Sequence, residues 1–337
     1  MPDLILVLAA LTIAVAGHEL AHLAAARLVG HEVFEIQIGT GPAWRTAVGS
    51  VDVKVGLIPL GGHVQTGARD LDGFRWRSAT VAGAGVAANA ALLVVGVATG
   101  FAALVTFNVL AIVGNLWPGR RRRLGDPSSD GRTLLDLLRA DADAIAEEQS
   151  AWFCVQADRA RRDGRLDDAA SLVVEGEDAV GATRALLAVS GVVAFEQRRF
   201  GDVVDAYAQL IDDDRVTVAG RAGFAADAAW AASLSDDQGF RAMAEPWAAF
   251  ARAVRPSAPR RRIVHALALV DAGRLDEAID AIEGVDDPSA DAIRVLALAE
   301  SGDLAAARAL HETAVDPTFS PDHPLVQRVR ERLHPTD

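Results

Sequence analysis

Cysteine is almost absent from this sequence of 337 residues, where Cys154 stands alone. A disulfide framework and a cysteine-held zinc site are thereby excluded, and a reducing compartment fits. A clustered basic surface is missing from the C-terminal part. Residues 1–135 carry 11 Lys and Arg against 9 Asp and Glu; of the chain totals of 33 and 46, this leaves 22 against 37 beyond them. Net charge thus changes from +2 to −15 at a seam near residue 135. Phosphate binding needs clustered cations, so nucleic acid is excluded as a partner of the second part. The one dense basic run, Arg120 to Arg123, lies before the seam. Charge is also missing altogether from Ser78 to Pro118, and no basic residue precedes the apolar run from Leu4 to Gly17. The first run therefore reads as a retained membrane helix and not as a cleaved signal peptide.

What is there divides along the same seam. The uncharged stretch is about twice the ~20 residues needed to cross a bilayer, so it reads as two spans turning near Gly100. Three spans follow, at about residues 3–29, 79–99 and 101–118. Arg45, Lys54, Arg69, Arg75 and Arg77 make the first loop basic, which places that loop in the cytoplasm. Three spans then put Arg120 to Arg123, and everything after it, on the same side. Trp76 and Trp117 fall near predicted span ends, where amphipathic rings favour the interface. The chain is expected to be an integral membrane protein of the plasma, or inner, membrane.

Within the first span stands His18-Glu19-Leu20-Ala21-His22. On a helix, positions i and i+4 share one face, so both imidazoles can reach a single zinc ion while Glu19 addresses a water beside it. Two His and a Glu in a lipid-spanning helix carry a large desolvation cost unless they hold a metal, pair, or face a polar cavity. A third ligand must come from elsewhere. Asp130, in Ser129-Asp130-Gly131-Arg132 just beyond the third span, is the candidate, and Asp126 is the runner-up. Asn115, or else Asn89, is a candidate for binding an oxyanion or the substrate backbone; the commoner role of such an Asn is a hydrogen bond between helices. Val51 to Ile58 alternates in part and ends at Pro59 and Gly61-Gly62, which predicts a strand closed by a tight turn. Such an edge next to the metal can pair with an unwound substrate.

Four stretches resemble the site-2 protease family of intramembrane zinc proteases. They are Gly17-His18-Glu19-Leu20-Ala21-His22, Ile58-Pro59-Leu60-Gly61-Gly62-His63-Val64, Ala84-Gly85-Val86-Ala87-Ala88-Asn89, and Asn115-Leu116-Trp117-Pro118 leading to Asp130-Gly131. Together they cover residues 1–138. The resemblance implies a three-helix membrane core, one zinc ion held by His18, His22 and Asp130, Glu19 as catalytic base, and transmembrane segments of other proteins as substrates. Val86 stands where the family usually has Pro, residues 119–129 intervene before Asp130, and His63 replaces a common Tyr.

From about Asp141 the chain is rich in Ala, Leu and acid. Gly164-Arg165-Leu166 before Ala169, Gly273-Arg274-Leu275 before Ala278 and Gly302-Asp303-Leu304 before Ala307 repeat one pattern, with echoes at Arg198 and Gln238. Their spacing resembles degenerate tetratricopeptide repeats. The expected fold class is mainly α: a transmembrane metalloprotease core with a small β-hairpin loop over residues 1–138, then a soluble helical-repeat solenoid over 139–337. The core meets membrane lipid, and the concave face of the solenoid is expected to bind a protein partner or substrate in the cytoplasm. The alternative is an inactive membrane-anchored repeat adaptor, which need not hold zinc.

Overall fold

The computed structural model describes residues 2–118, 129–139, 141–314 and 323–334. The Arg120 to Arg123 run and Asp126 lie outside these residues. By compactness the chain divides into Met1–Leu186 and Leu187–Asp337, a division that falls within the helix Arg184–Glu196.

In the first unit, α1 (Pro2–Leu28) and α2 (Phe74–Thr99) supply apolar stretches of 25 and 26 residues, about 38 Å at 1.5 Å per residue, against about 30 Å of bilayer hydrocarbon. Only 22% of each apolar window is buried inside the protein, and Leu4, Ile5, Leu8, Val94 and Val97 face outward. The helices are long and apolar enough to cross a membrane, and their exposed side chains suit lipid. At Gly100 the chain turns, with φ 69° and its N–H bonded to the carbonyl of Val97. Helix α3 (Ala102–Leu116) follows. At 15 residues, about 23 Å, it is shorter than the third span expected over 101–118.

Between α1 and α2, β1 (Glu32–Val48) and β2 (Val51–Gly67) form a two-stranded antiparallel sheet. Both strands double back. Glu35 to Ile38 take partners on both sides, Gln65 to Gly62 in descending order and Asp52 to Val55 in ascending order. The tight turn expected at Pro59 and Gly61-Gly62 does not end the strand. The bend is absorbed inside β2, where Gly61 takes φ 67°, a left-handed conformation costly for any other residue, and pairing resumes to Gly67. Val33, Ile36 and Val51 pack with Ala26 of α1 and Val81 of α2, which seats the sheet at one end of the helices.

Helices α4 (Asp130–Arg139), α5 (Ala142–Arg162) and α6 (Leu166–Val180) complete this unit. The carboxylate of Glu32 accepts from the indole of Trp152 at 2.8 Å and the amide of Gln156 at 3.1 Å, and the carbonyl of Ser50 accepts from Arg159 at 2.8 Å. These bonds tie α5 to the sheet.

After α7 (Arg184–Glu196) the second unit runs through α8 (Phe200–Asp212), α9 (Val218–Leu234), α10 (Gln238–Val254), α11 (Pro259–Asp271), α12 (Leu275–Ala281), α13 (Pro288–Glu300), α14 (Leu304–Ala314) and α15 (Pro324–Leu333). From α8 to α14, adjacent helices pack together along most of the series, and α9, α11, α13 and α15 also touch in succession. The recurring sequence pattern has one geometry in both units. Gly164, Gly273 and Gly302 take φ of 77°, 73° and 89° immediately before α6, α12 and α14, and Arg198 takes φ 59° before α8. Ala169, Ala278 and Ala307 are then fully buried. A left-handed turn and a small residue one turn later bring successive helices into close contact.

Candidate metal centre

One turn of α1 carries His18, Glu19 and His22, all at most 7% exposed although the same helix turns a row of Leu and Ile outward. Each imidazole is anchored to α2 through Nδ1. His18 bonds the Oδ1 of Asn89 at 2.5 Å, and His22 bonds the carbonyl of Val81 at 2.7 Å. The two Nε2 atoms then face each other at 3.0 Å.

Asp130 arrives from far along the chain as the first residue of α4. Its Oδ2 lies 3.1 Å from His18 Nε2 and its Oδ1 3.4 Å from His22 Nε2. The entry is fixed locally: the hydroxyl of Ser129 donates to the carbonyl of Trp117 at 2.7 Å, and Gly131 packs so closely on Leu116 that any Cβ would strike its carbonyl. At the far end of α4, Arg75 of α2 donates to the carbonyl of Leu137 at 2.6 Å.

Two glycines make room for this cluster. A Cβ on Gly85 of α2 would land on the imidazoles of both His18 and His22. A Cβ on Gly62 of β2 would meet the carbonyl of Gln37 at 2.5 Å and the Glu19 side chain at 2.8 Å, so β2 passes directly beside that carboxylate.

The donor set fits a metal. With Nδ1 of each ring spent as a donor, the neutral imidazoles that a metal requires have bare acceptors at both Nε2 atoms, and Oδ2 of Asp130 has no hydrogen-bond donor among the described residues. Acceptors converging in a dry site repel one another unless a cation lies among them. The three residues offer ligand atoms all within 4.8 Å of one another. The closest distances, 3.0 to 3.4 Å, bracket the roughly 3.3 Å between ligand atoms of a tetrahedral zinc.

A protein-family model described as Peptidase family M50 matches residues 6–298. The chain belongs to that family. Among curated relatives, a Chlamydia trachomatis serovar D protein assigned as a zinc metalloprotease is 48% identical over 54 residues, 16% of this chain and 9% of that protein. A Chlamydia pneumoniae protein assigned likewise is 44% identical over 62 residues, 18% and 10% of the two chains. The matched stretches span about a tenth of those relatives' length. No solved structure matches the chain.

For this M50 member, the structure brings His18, Glu19, His22 and Asp130 together. Asn89 is buried and bonded on all sides, to His18, to the carbonyl of Ala14 at 3.1 Å and to Asn108 at 2.8 Å. Its amide is therefore committed to holding α1 and leaves nothing for a substrate oxyanion. Asn115 is half-buried in the last turn of α3, with no hydrogen bond to the cluster among the described residues. His63 bonds Glu35 at 3.1 Å beside Lys54, away from the cluster. Sequence reasoning missed Asn108, which belongs to none of the motif stretches and whose only signal is an uncompensated amide in an apolar helix.

A second unforeseen residue, His31, follows α1 and is 6% exposed, stacked on Phe74 at 5.9 Å. Neither ring nitrogen has a hydrogen-bond partner among the described residues. Burial, aided by the charge of Arg77, pushes its pKa down to about 4.

Proposed function

We propose that the protein is a zinc metallopeptidase of site-2 protease type that hydrolyses peptide bonds within transmembrane segments of other proteins. The observation that carries this reading is the convergence of Asp130, from the start of α4, on His18 Nε2 and His22 Nε2 of the apolar helix α1, with the buried Glu19 on the same turn. His18, His22 and Asp130 would hold one zinc ion, which supplies Lewis acidity and lowers the pKa of a water towards neutrality. Glu19 takes a proton from the attacking water and delivers it to the leaving amine nitrogen. Gly62 places β2 against Glu19, so a substrate strand added along that sheet would bring its backbone to the carboxylate and find hydrogen-bond partners there. Asn115 stands at the end of α3, near the return to Asp130, as the candidate contact for the substrate carbonyl.

In this reading residues 1–138, with α1, α2 and α3 as the membrane helices, form the protease core, and 139–337 form a cytoplasmic tetratricopeptide-like solenoid for a protein partner or substrate. The left-handed turns before α6, α8, α12 and α14 support a repeating unit. Comparing membrane proteomes of host cells carrying intact protein or Glu19→Gln tests catalysis: a transmembrane fragment should accumulate only in the variant, with zinc content unchanged. Equal fragment levels in cells where the zinc-loaded protein is present would favour the adaptor. Truncation after residue 186 should slow cleavage of a native substrate severalfold; unchanged cleavage would remove recruitment from the helices beyond it, α8 to α15.

A further inference from the structure

Helix α3 supplies no ligand to the cluster, yet it carries a fully buried amide, Asn108, that reaches the metal centre through Asn89. We infer that Asn108 is a positioning residue for the metal site, acting through Asn89 to fix which nitrogen of His18 carries the proton. The inference rests on the metallopeptidase reading above for its use, but its chemistry can be tested separately.

Two backbone carbonyls, of Leu104 and Ala14, fix the sense of this relay. A backbone carbonyl only accepts. Asn108 directs Nδ2 to the carbonyl of Leu104 at 2.8 Å, so this atom is the amide nitrogen and the other end of the group, Oδ1, must accept. That oxygen lies 2.8 Å from the Nδ2 of Asn89, and the carbonyl of Ala14 lies 3.1 Å from the same nitrogen. Both N–H bonds of Asn89 are thereby spent on acceptors, and its Oδ1 is left facing His18. An amide oxygen cannot donate, so His18 must carry a proton on Nδ1, and the neutral ring then presents Nε2 bare towards Asp130 and His22. The amide orientations, ambiguous when each Asn is viewed alone, are settled by carbonyls at the two ends of the relay.

His22 reaches the same tautomer by a shorter route, because its Nδ1 faces the carbonyl of Val81 directly. The two metal-facing histidines thus differ in what secures them. His22 depends on backbone alone, whereas His18 depends on two side chains drawn from α2 and α3. Removing Asn108 leaves one N–H of Asn89 unpaired in a dry interior and lets that amide turn over, which would offer His18 a donor where it needs an acceptor.

Two measurements on the full-length protein in detergent test this. In zinc-free protein with 15N-labelled histidine, with the His18 signals assigned by loss in His18→Ala, wild type should show the Nδ1–H tautomer, and Asn108→Ala should show a mixture. A wild-type His18 protonated on Nε2 overturns the inference, whatever the protein binds. Zinc affinity should fall about 10- to 100-fold in Asn108→Ala, the usual cost of losing a partner behind a metal-binding histidine. In an Asn89→Ala background the same substitution should cost almost nothing, whereas a role in packing alone would give additive losses. Additive losses overturn the relay. Wild type that shows the Nδ1–H tautomer but takes up no zinc would refute the metallopeptidase reading while leaving the relay standing.

Discussion

The two compact units solve burial in opposite senses. In the first, the buried set includes His18, Glu19, His22, His31, Arg77, Asn89, Asn108 and Asp136, while Leu, Ile and Val crowd the exposed faces of α1 to α3. In the second, the interior is mainly Ala, Leu, Ile and Val gathered in one large cluster with Tyr207 and Trp230, and the buried carboxylate of Asp271 is paired with Arg328. The contrast is the one that lipid around the first unit and water around the second would produce. Where lipid surrounds a helix, apolar side chains gain nothing by turning inward, and polar groups can be held inside only if each finds a partner. In water the same apolar groups are driven in, at roughly 25 cal/mol per Å² removed. Polar burial at the metal centre is accordingly a network, and burial in the second unit is packing.

An acidic side chain placed on each exposed surface separates lipid from water. Val94 is 68% exposed on α2, and Val218 is 52% exposed on α9. Val94→Asp should cost about 2.5–3.5 kcal/mol of membrane insertion if α2 faces lipid, while Val218→Asp should change stability by no more than about 0.5 kcal/mol. Equal small effects in a membrane-insertion assay and a thermal melt would remove lipid from the account of α2.

Acid should separate native and variant first units. His31 has a pKa of about 4 when folded, against 6.5 when free, so between these values the unfolded chain binds a proton that the folded chain does not. Stability therefore falls as pH drops from 6.5 towards 4, by up to about 3 kcal/mol. His31→Leu should lose less between pH 7 and pH 4.5 than wild type in detergent melts. Parallel losses would assign acid sensitivity to other groups.

The smallest effect concerns the turns. Arg198 holds φ 59° where Gly164, Gly273 and Gly302 serve in the equivalent turns. Arg198→Gly should stabilise the second unit by about 0.5–1 kcal/mol, because a side chain in the left-handed region costs slightly more than the extra entropy of an unfolded glycine. A loss of stability would mean that the Arg198 side chain contributes more than its backbone costs.

Much of this was legible in the residues, and unevenly so. His18, Glu19 and His22 were readable because they lie within one helical turn, and the apolar helices were readable because lipid imposes length and composition. The left-handed turns showed through Gly164, Gly273 and Gly302 because only glycine enters them cheaply. The sheet was half-legible: Val51 to Ile58 alternates in part, but the double pairing of Glu35 to Ile38 has no local signal, and the bend at Gly61 imitates a terminating turn.

By itself, then, the sequence determined what chemistry α1 offers, which segments suit lipid and where the acidic helices begin, since these depend on neighbours within a few residues. Only the tertiary structure decided that Asp130 meets His18 across 112 positions, that Gly85 and Gly62 are the openings through which α2 and β2 approach the site, and that Asn108 stands behind Asn89. Those contacts join groups remote in the chain, and their energies come from desolvation and hydrogen-bond pairing that exist only once the helices have packed.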